Sequence, residues 1–180
     1  MAQRWSTRKK INSCTDLISV CEFFKSKDSN CHTLSLVTGS AGVIPVGYIL
    51  NKTNYIDRVI FDAPFLDVYE SLCDLSQLYT TSDWKEFGNP IESELYKNSI
   101  LEICPYCNIE NKKYPEMLFF ISLNDQNVPY TQSLKYISKV NSFKSTANNI
   151  FVDIAENETH FGTTIRDRKM VNISKKTFLY

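Results

Sequence analysis

Glycine is scarce in this chain of 180 residues: there are 5, where average usage would give roughly a dozen, so each survivor marks a place where the backbone needs it. Histidine is scarcer still, at 2. Neither sign of charge is in excess. Twenty Lys+Arg balance twenty Asp+Glu for a formal net charge of +0, so no basic footprint for nucleic acid or an anionic membrane exists, and neither partner is expected. Long apolar stretches are missing too. The longest, near residues 117–122, is far too short to cross a bilayer, and the opening MAQRWSTRKKINS has no apolar signal-peptide core. No repeat or low-complexity linker breaks the chain. What is present, 43% hydrophobic and 22% charged residues with 13% aromatics, suits one ordinary folded domain over residues 1–180.

Six cysteines (Cys14, Cys21, Cys31, Cys73, Cys104, Cys107) could form three bridges, but without a signal peptide they are expected to be reduced thiols of a cytoplasmic protein. The sequons at Asn51, Asn157 and Asn172 would then go unused. Arg4, Arg8, Lys9 and Lys10 precede the first acid, Asp16, which gives the start a transit-peptide flavour, although the opening of a folded domain accounts for it as well. Cys104-Pro105-Tyr106-Cys107 has redox spacing, yet a redox C-x-x-C opens a helix just after a strand. Here the motif follows a helical stretch at 94–103 and precedes a polar loop at 108–114. A half-exposed turn is expected there, with redox chemistry and metal binding as the alternatives. Zinc has only His32 and His160 to complete a site, so no metal is expected.

Short β-branched, apolar runs at 34–38, 58–62, 117–122 and 150–154 read as buried strands separated by helical patterns. Leu17, Val20, Cys21 and Phe24 mark one helix face, opened by a capping box of Ser13 with Asp16; Tyr130, Leu134, Ile137 and Val140 mark another. The fold class is therefore α/β, with a mostly parallel sheet, flanking helices and a long excursion at 63–115 between the second and third strands.

In an open parallel sheet, chemistry gathers at the carboxyl ends of the strands. Ser40 leaves the first strand there, Asp62 or Asp67 the second, Asp125 the third and His160 the fourth, whereas His32 enters the first strand from the opposite edge. Gly39-Ser40-Ala41-Gly42, between a strand and a helix, would be a sharp turn that lifts the Ser40 hydroxyl above the sheet. In that arrangement His160 would take the serine proton, Asp125 would orient the imidazole, and the Ala41 backbone N–H would serve as an oxyanion donor. The alternative for Ser40 is an ordinary strand-to-helix turn with an idle hydroxyl. Neither reading requires a metal or an organic cofactor.

These residues resemble the prolyl oligopeptidase group of serine peptidases, in particular oligopeptidase B and the prolyl endopeptidase-like proteins. The markers are Gly39-Ser40-Ala41-Gly42, Ala63-Pro64-Phe65-Leu66-Asp67-Val68, Gly88-Asn89-Pro90, Cys104-Pro105-Tyr106-Cys107-Asn108, Tyr114-Pro115 and Asn124-Asp125-Gln126-Asn127-Val128-Pro129. The resemblance implies an α/β-hydrolase fold, the triad Ser40, Asp125 and His160, and hydrolysis of short peptides through an acyl-enzyme, with access gated by an N-terminal propeller. It also brings esterase or thioesterase chemistry, associated with the prolyl endopeptidase-like members.

Several positions depart from the pattern. Thr38 and Val43 stand where oligopeptidase B has glycine, and Thr38 crowds the turn. Pro45 falls early in the following helix, where it is tolerated. Phe161 replaces a glycine after the histidine. The acidic pair that reads basic substrates becomes Asp83 and Lys85, which leaves Asp83 as the candidate substrate-binding acid and weakens attraction for Arg or Lys. The chain also starts beyond the family's propeller and the first strands of its hydrolase domain, so residues 1–180 are expected to be a partial catalytic domain. Its first strand would present an open edge at Leu34-Ser35-Leu36-Val37 that invites a partner chain. Two functions stay open: a serine hydrolase, or a non-catalytic hydrolase-like module that acts through that edge.

Overall fold

The computed structural model describes residues 10–26, 32–143, 149–156, 159–160 and 178–179. Cys31, Phe161, the basic residues before Lys10 and the sequons at Asn157 and Asn172 lie outside the described residues. Four strands, β1 (Ser35–Gly39), β2 (Arg58–Asp62), β3 (Glu116–Ser122) and β4 (Ile150–Ala155), form a sheet in the order β1-β2-β3-β4. Every neighbouring pair is parallel. Helices α1 (Lys10–Lys25) and α2 (Val43–Lys52) flank β1; α3 (Val68–Cys73), α4 (Thr80–Phe87) and α5 (Glu94–Ile103) fill the excursion between β2 and β3; α6 (Thr131–Ser142) joins β3 to β4.

When parallel strands lie side by side in chain order, right-handed crossovers put their connecting helices on one face. The core obeys that rule. Val59, Phe61, Met117, Phe119 and Ile121 point to the helical side, where they meet Val46, Ile49 and Leu50 of α2, Tyr136 and Val140 of α6, and Cys21 of α1. The Phe61 and Phe119 rings lie 4.9 Å apart, with Tyr136 beside both. Burying each such ring is worth roughly 1.5–3 kcal/mol. The strand register carries Val37, Ile60, Leu118 and Phe151 in one row on the opposite face. Ile60 and Leu118 are buried against Phe178 and Leu179, while Val37 and Phe151, on the flanking strands, remain about half exposed. A second core unites Phe65, Val68, Leu72, Phe87 and Ile100 of the excursion with Cys14 and Ile44.

Two helix faces and one turn differ from the sequence expectation. Helix α1 already runs at Lys10, so Ser13 and Asp16 lie inside it instead of capping it. Its buried residues are Cys14 and Cys21, with Leu17 and Ile18 packed beside them, and Val20 and Phe24 face outward. The apolar series 11, 14, 18, 21 extends beyond the capping box, and its burial outweighs a local cap. In α6 Leu134 is exposed, and Gln132 and Ser133 are buried in its place. Gln132 can be inside because its amide is satisfied: Oε1 accepts from the N–H groups of Leu66 and Asp67, and Nε2 donates to Ser71 Oγ. The Cys104–Cys107 turn is only partly exposed, since Cys104 is fully buried in the second core.

Asn51 is buried on α2, where Nδ2 donates to the Pro105 carbonyl and Oδ1 accepts from the Tyr114 hydroxyl. That sequon is therefore locked inside the fold. Tyr136 is fully buried and its hydroxyl has no hydrogen-bond partner among the described residues. A buried, unpaired hydroxyl costs about 1–3 kcal/mol, so Tyr136→Phe is expected to stabilise the protein by about 1 kcal/mol in urea unfolding, with an unchanged m-value.

Candidate active site

The carboxyl end of β1 runs straight into a single turn of 3₁₀ helix, Ser40–Gly42, and then into α2. Ser40 has φ 48°, in the left-handed region that side chains rarely adopt, and such a sharp strand-to-helix turn thrusts a hydroxyl away from the sheet. Gly39 makes the turn feasible, because a Cβ there would sit 2.7 Å from the Asp62 carbonyl oxygen at the end of β2. Thr38 is accommodated by a second small residue: its Oγ1 lies 3.1 Å from where a Gly42 Cβ would be. The Ser40 carbonyl accepts from the Phe65 N–H at 3.2 Å, which ties the turn to the loop after β2. Pro45 falls in the first turn of α2, as expected.

The acid and the base arrive from β3 and β4. Asp125 leaves β3 in a loop where Oδ1 accepts from the N–H groups of Asn127 at 2.9 Å and Val128 at 3.0 Å. Its Oδ2 lies 2.8 Å from His160 Nδ1, and His160 Nε2 lies 3.0 Å from Ser40 Oγ. The histidine and aspartate side chains are 7% and 2% exposed, so the pair is screened from water. With Nδ1–H donating to the carboxylate, Nε2 is the acceptor, and the serine hydroxyl can donate to it. The arrangement can withdraw a proton from Ser40 and hold the charge that results.

The other candidates fall elsewhere. The carboxylate that meets His160 Nδ1 is Asp125, not Asp62 or Asp67; Asp62 ends β2 and Asp67 caps α3 by accepting from the Glu70 N–H. His32 is exposed at the entrance to β1, at the opposite end from Ser40. Ala41 is exposed and, with Gly42, opens a cavity of about 280 Å³ that is also lined by Ser13, Ile44, Pro45, Glu86 and Phe87. Asp83, half-buried in the first turn of α4, is not among the lining residues; burial and the neighbouring Glu86 raise its carboxyl above the usual aspartate range. The acid of α4 that reaches the cavity is Glu86, bonded to Lys10. Cys14 also faces the cavity, but burial pushes its thiol up to about 11, so it stays protonated and is no rival nucleophile at neutral pH.

Sequence reasoning missed how the loops are set relative to one another. The Leu123 N–H donates to the Ala155 carbonyl at 3.0 Å and Asn124 Nδ2 donates to the Glu156 carbonyl at 2.6 Å, which extends the β3–β4 pairing beyond the strands. These two bonds tie the Asp125 loop to residues 155 and 156 at the end of β4. Asn124 stood next to Asp125 in the sequence, but its partner is a backbone carbonyl, which leaves no sequence signal.

Known proteins resemble this chain in sequence and in fold. Residues 2–179 match the prolyl oligopeptidase family. Protease 2 of Moraxella lacunata is 30% identical over 161 residues, covering 88% of this chain and 23% of that protein. The prolyl endopeptidase-like protein of Xenopus laevis is 34% identical over 134 residues, covering 73% of this chain and 19% of that protein. Oligopeptidase B from Leishmania major superposes with a TM-score of 0.78 at 30% identity, over 84% of this chain and 21% of that one. The chain thus spans about a fifth to a quarter of the length of these relatives. Its four-stranded parallel sheet with flanking helices has the α/β-hydrolase architecture of their catalytic domains.

The turn yields a graded expectation. Gly39→Ala must move a backbone carbonyl and should cost about 1–3 kcal/mol, whereas Gly42→Ala displaces only the Thr38 hydroxyl and should cost less. Chemical unfolding midpoints of the two variants, measured side by side, check the order.

Proposed function

The chain belongs to the prolyl oligopeptidase family, whose members are serine peptidases, and from that premise we propose that Ser40, His160 and Asp125 act as the triad of a serine-type peptidase. The observation that carries this reading is the hydrogen-bonded series from Ser40 Oγ through the His160 ring to Asp125 Oδ2, built on a serine with positive φ. His160 Nε2 accepts the hydroxyl proton as Ser40 Oγ attacks the carbonyl carbon of a peptide, and Asp125 stabilises the imidazolium that forms. The Ala41 backbone N–H donates to the developing oxyanion at the start of the turn. Collapse breaks the C–N bond, His160 gives its proton to the leaving amine, and an acyl-serine remains. Water, deprotonated by the same imidazole, then attacks the ester and releases the acid and the free serine. Every step uses groups of this chain and water.

The substrate class in this reading is a short peptide. The cavity beside Ala41 offers Ile44, Pro45 and Phe87 as an apolar lining, with the Lys10–Glu86 pair as its polar element. Asp83, on the same helix as Glu86 but outside this cavity, is the second substrate acid of the proposal, and Lys85 two residues on opposes a cationic side chain.

Labelling of the purified chain by a fluorophosphonate serine-hydrolase probe tests the proposal. Labelling confined to Ser40, abolished by Ser40→Ala and slowed roughly a thousandfold or more by His160→Ala, with circular dichroism unchanged, is the expected result. A folded wild-type chain that takes up no probe, or one labelled equally well without His160, would sink it and favour a non-catalytic module.

A further inference from the structure

Asp67, Cys104 and Cys107, which take no part in the chemistry of Ser40, bring one carboxylate oxygen and two sulfur atoms within 4.8 Å of one another. Asp67 and Cys104 are buried, at 3% and 0% exposure, and Cys107 is half-buried. We propose that these three side chains bind one divalent cation of borderline softness, Zn²⁺ foremost, with water as the fourth ligand entering from the Cys107 side.

Three observations support the site. The C-x₂-C spacing is that of zinc-binding cysteine pairs, and a tetrahedral ion with Zn–S bonds of about 2.3 Å needs neighbouring ligand atoms about 3.8 Å apart, against separations here of 4.8 Å or less. Cys104 Sγ lies 3.7 Å from the Leu66 carbonyl, against the loop that carries Asp67. Histidines are too few to provide a third ligand, but the fold supplies a carboxylate from the loop after β2.

The surroundings suit the charge. Two thiolates and a carboxylate bring −3 against +2, and the surplus negative charge faces Lys135, whose Nζ lies 2.7 Å from Asp67 Oδ2. Lys135 also bonds Glu70, and Lys139 Nζ donates to the Tyr106 carbonyl within the turn at 2.9 Å. Both ammonium groups lie over the Tyr106 ring. The other Asp67 oxygen accepts from the Glu70 N–H, so the carboxylate is held from outside, as metal ligands commonly are. Binding releases the two thiol protons to solvent. An ion here would join the β2–α3 loop to the end of α5, and Phe65, two residues before Asp67, donates to the Ser40 carbonyl.

Anaerobic titration of the reduced full chain with Co²⁺ tests the site. One equivalent should produce a thiolate-to-cobalt charge-transfer band and the intense visible bands of a four-coordinate ion, and Zn²⁺ should abolish both. Cys107→Ser and Asp67→Asn, each checked for folding by circular dichroism, should weaken Co²⁺ binding roughly tenfold or more, while Cys14→Ser should leave it unchanged. Zn²⁺ should raise the unfolding midpoint of the wild type and not that of Cys107→Ser. The proposal is overturned by a folded, fully reduced protein with no charge-transfer band, or by a band that survives both ligand substitutions. It also fails if oxidised glutathione links Cys104 to Cys107 while the reduced pair ignores Co²⁺, which would make the turn a redox pair instead.

Discussion

A Cβ at position 39 would lie 2.7 Å from the Asp62 carbonyl oxygen, and the geometry of the whole carboxyl edge depends on there being none. With hydrogen in that place, β1 and β2 keep their parallel register to the last residue, Gly39 opposite Asp62. The chain must then turn at once, and Ser40 takes the strain at φ 48°. A side chain in that region costs about 1–2 kcal/mol. The turn is held from both sides, because α2 is almost wholly buried along one face and the Phe65 N–H holds the Ser40 carbonyl. Ala63, at the end of β2, is also at positive φ, with its N–H bonded to the Phe120 carbonyl of β3. Both strained residues sit where strand pairing stops and chemistry begins, the common location for such strain.

The site draws on two pairs of strands. Ser40 belongs to β1 and β2; Asp125 and His160 belong to β3 and β4, linked beyond the strands by the Leu123–Ala155 and Asn124–Glu156 hydrogen bonds. Between the pairs runs the continuous β2–β3 pairing, covered on the helical face by the Phe61, Phe119 and Tyr136 rings. A change in that aromatic layer is therefore expected to be felt as a change in the distance from the serine to the histidine.

The strands were legible because each is a short β-branched or aromatic run, and the polar residues at their carboxyl ends stood out for the same reason; the order β1-β2-β3-β4 came from the structure. The helix faces were less legible. Choosing Val20 and Phe24 over Cys14 and Ile18 rotated α1 by part of a turn, since cysteine is a poor marker of burial in a sequence and an excellent one in a core. Leu134 and Gln132 exchanged roles because an amide that satisfies two backbone N–H groups and a hydroxyl can be buried more cheaply than its polarity suggests. Asp67 beside Cys104 and Cys107 was invisible for a different reason: the three meet only after α3, α4 and α5 have folded back onto the loop after β2.

The hydrogen bond between Ser40 and His160 spans 120 residues of sequence. At ordinary rates of translation the ribosome needs on the order of ten seconds to cover that distance. During that interval β1, β2 and β3 can pair in the order in which they emerge, yet the serine is without its base. Order of synthesis thus acts as a timer: in the peptidase reading, a nascent chain is harmless to its neighbours on the same message until its fourth strand has docked.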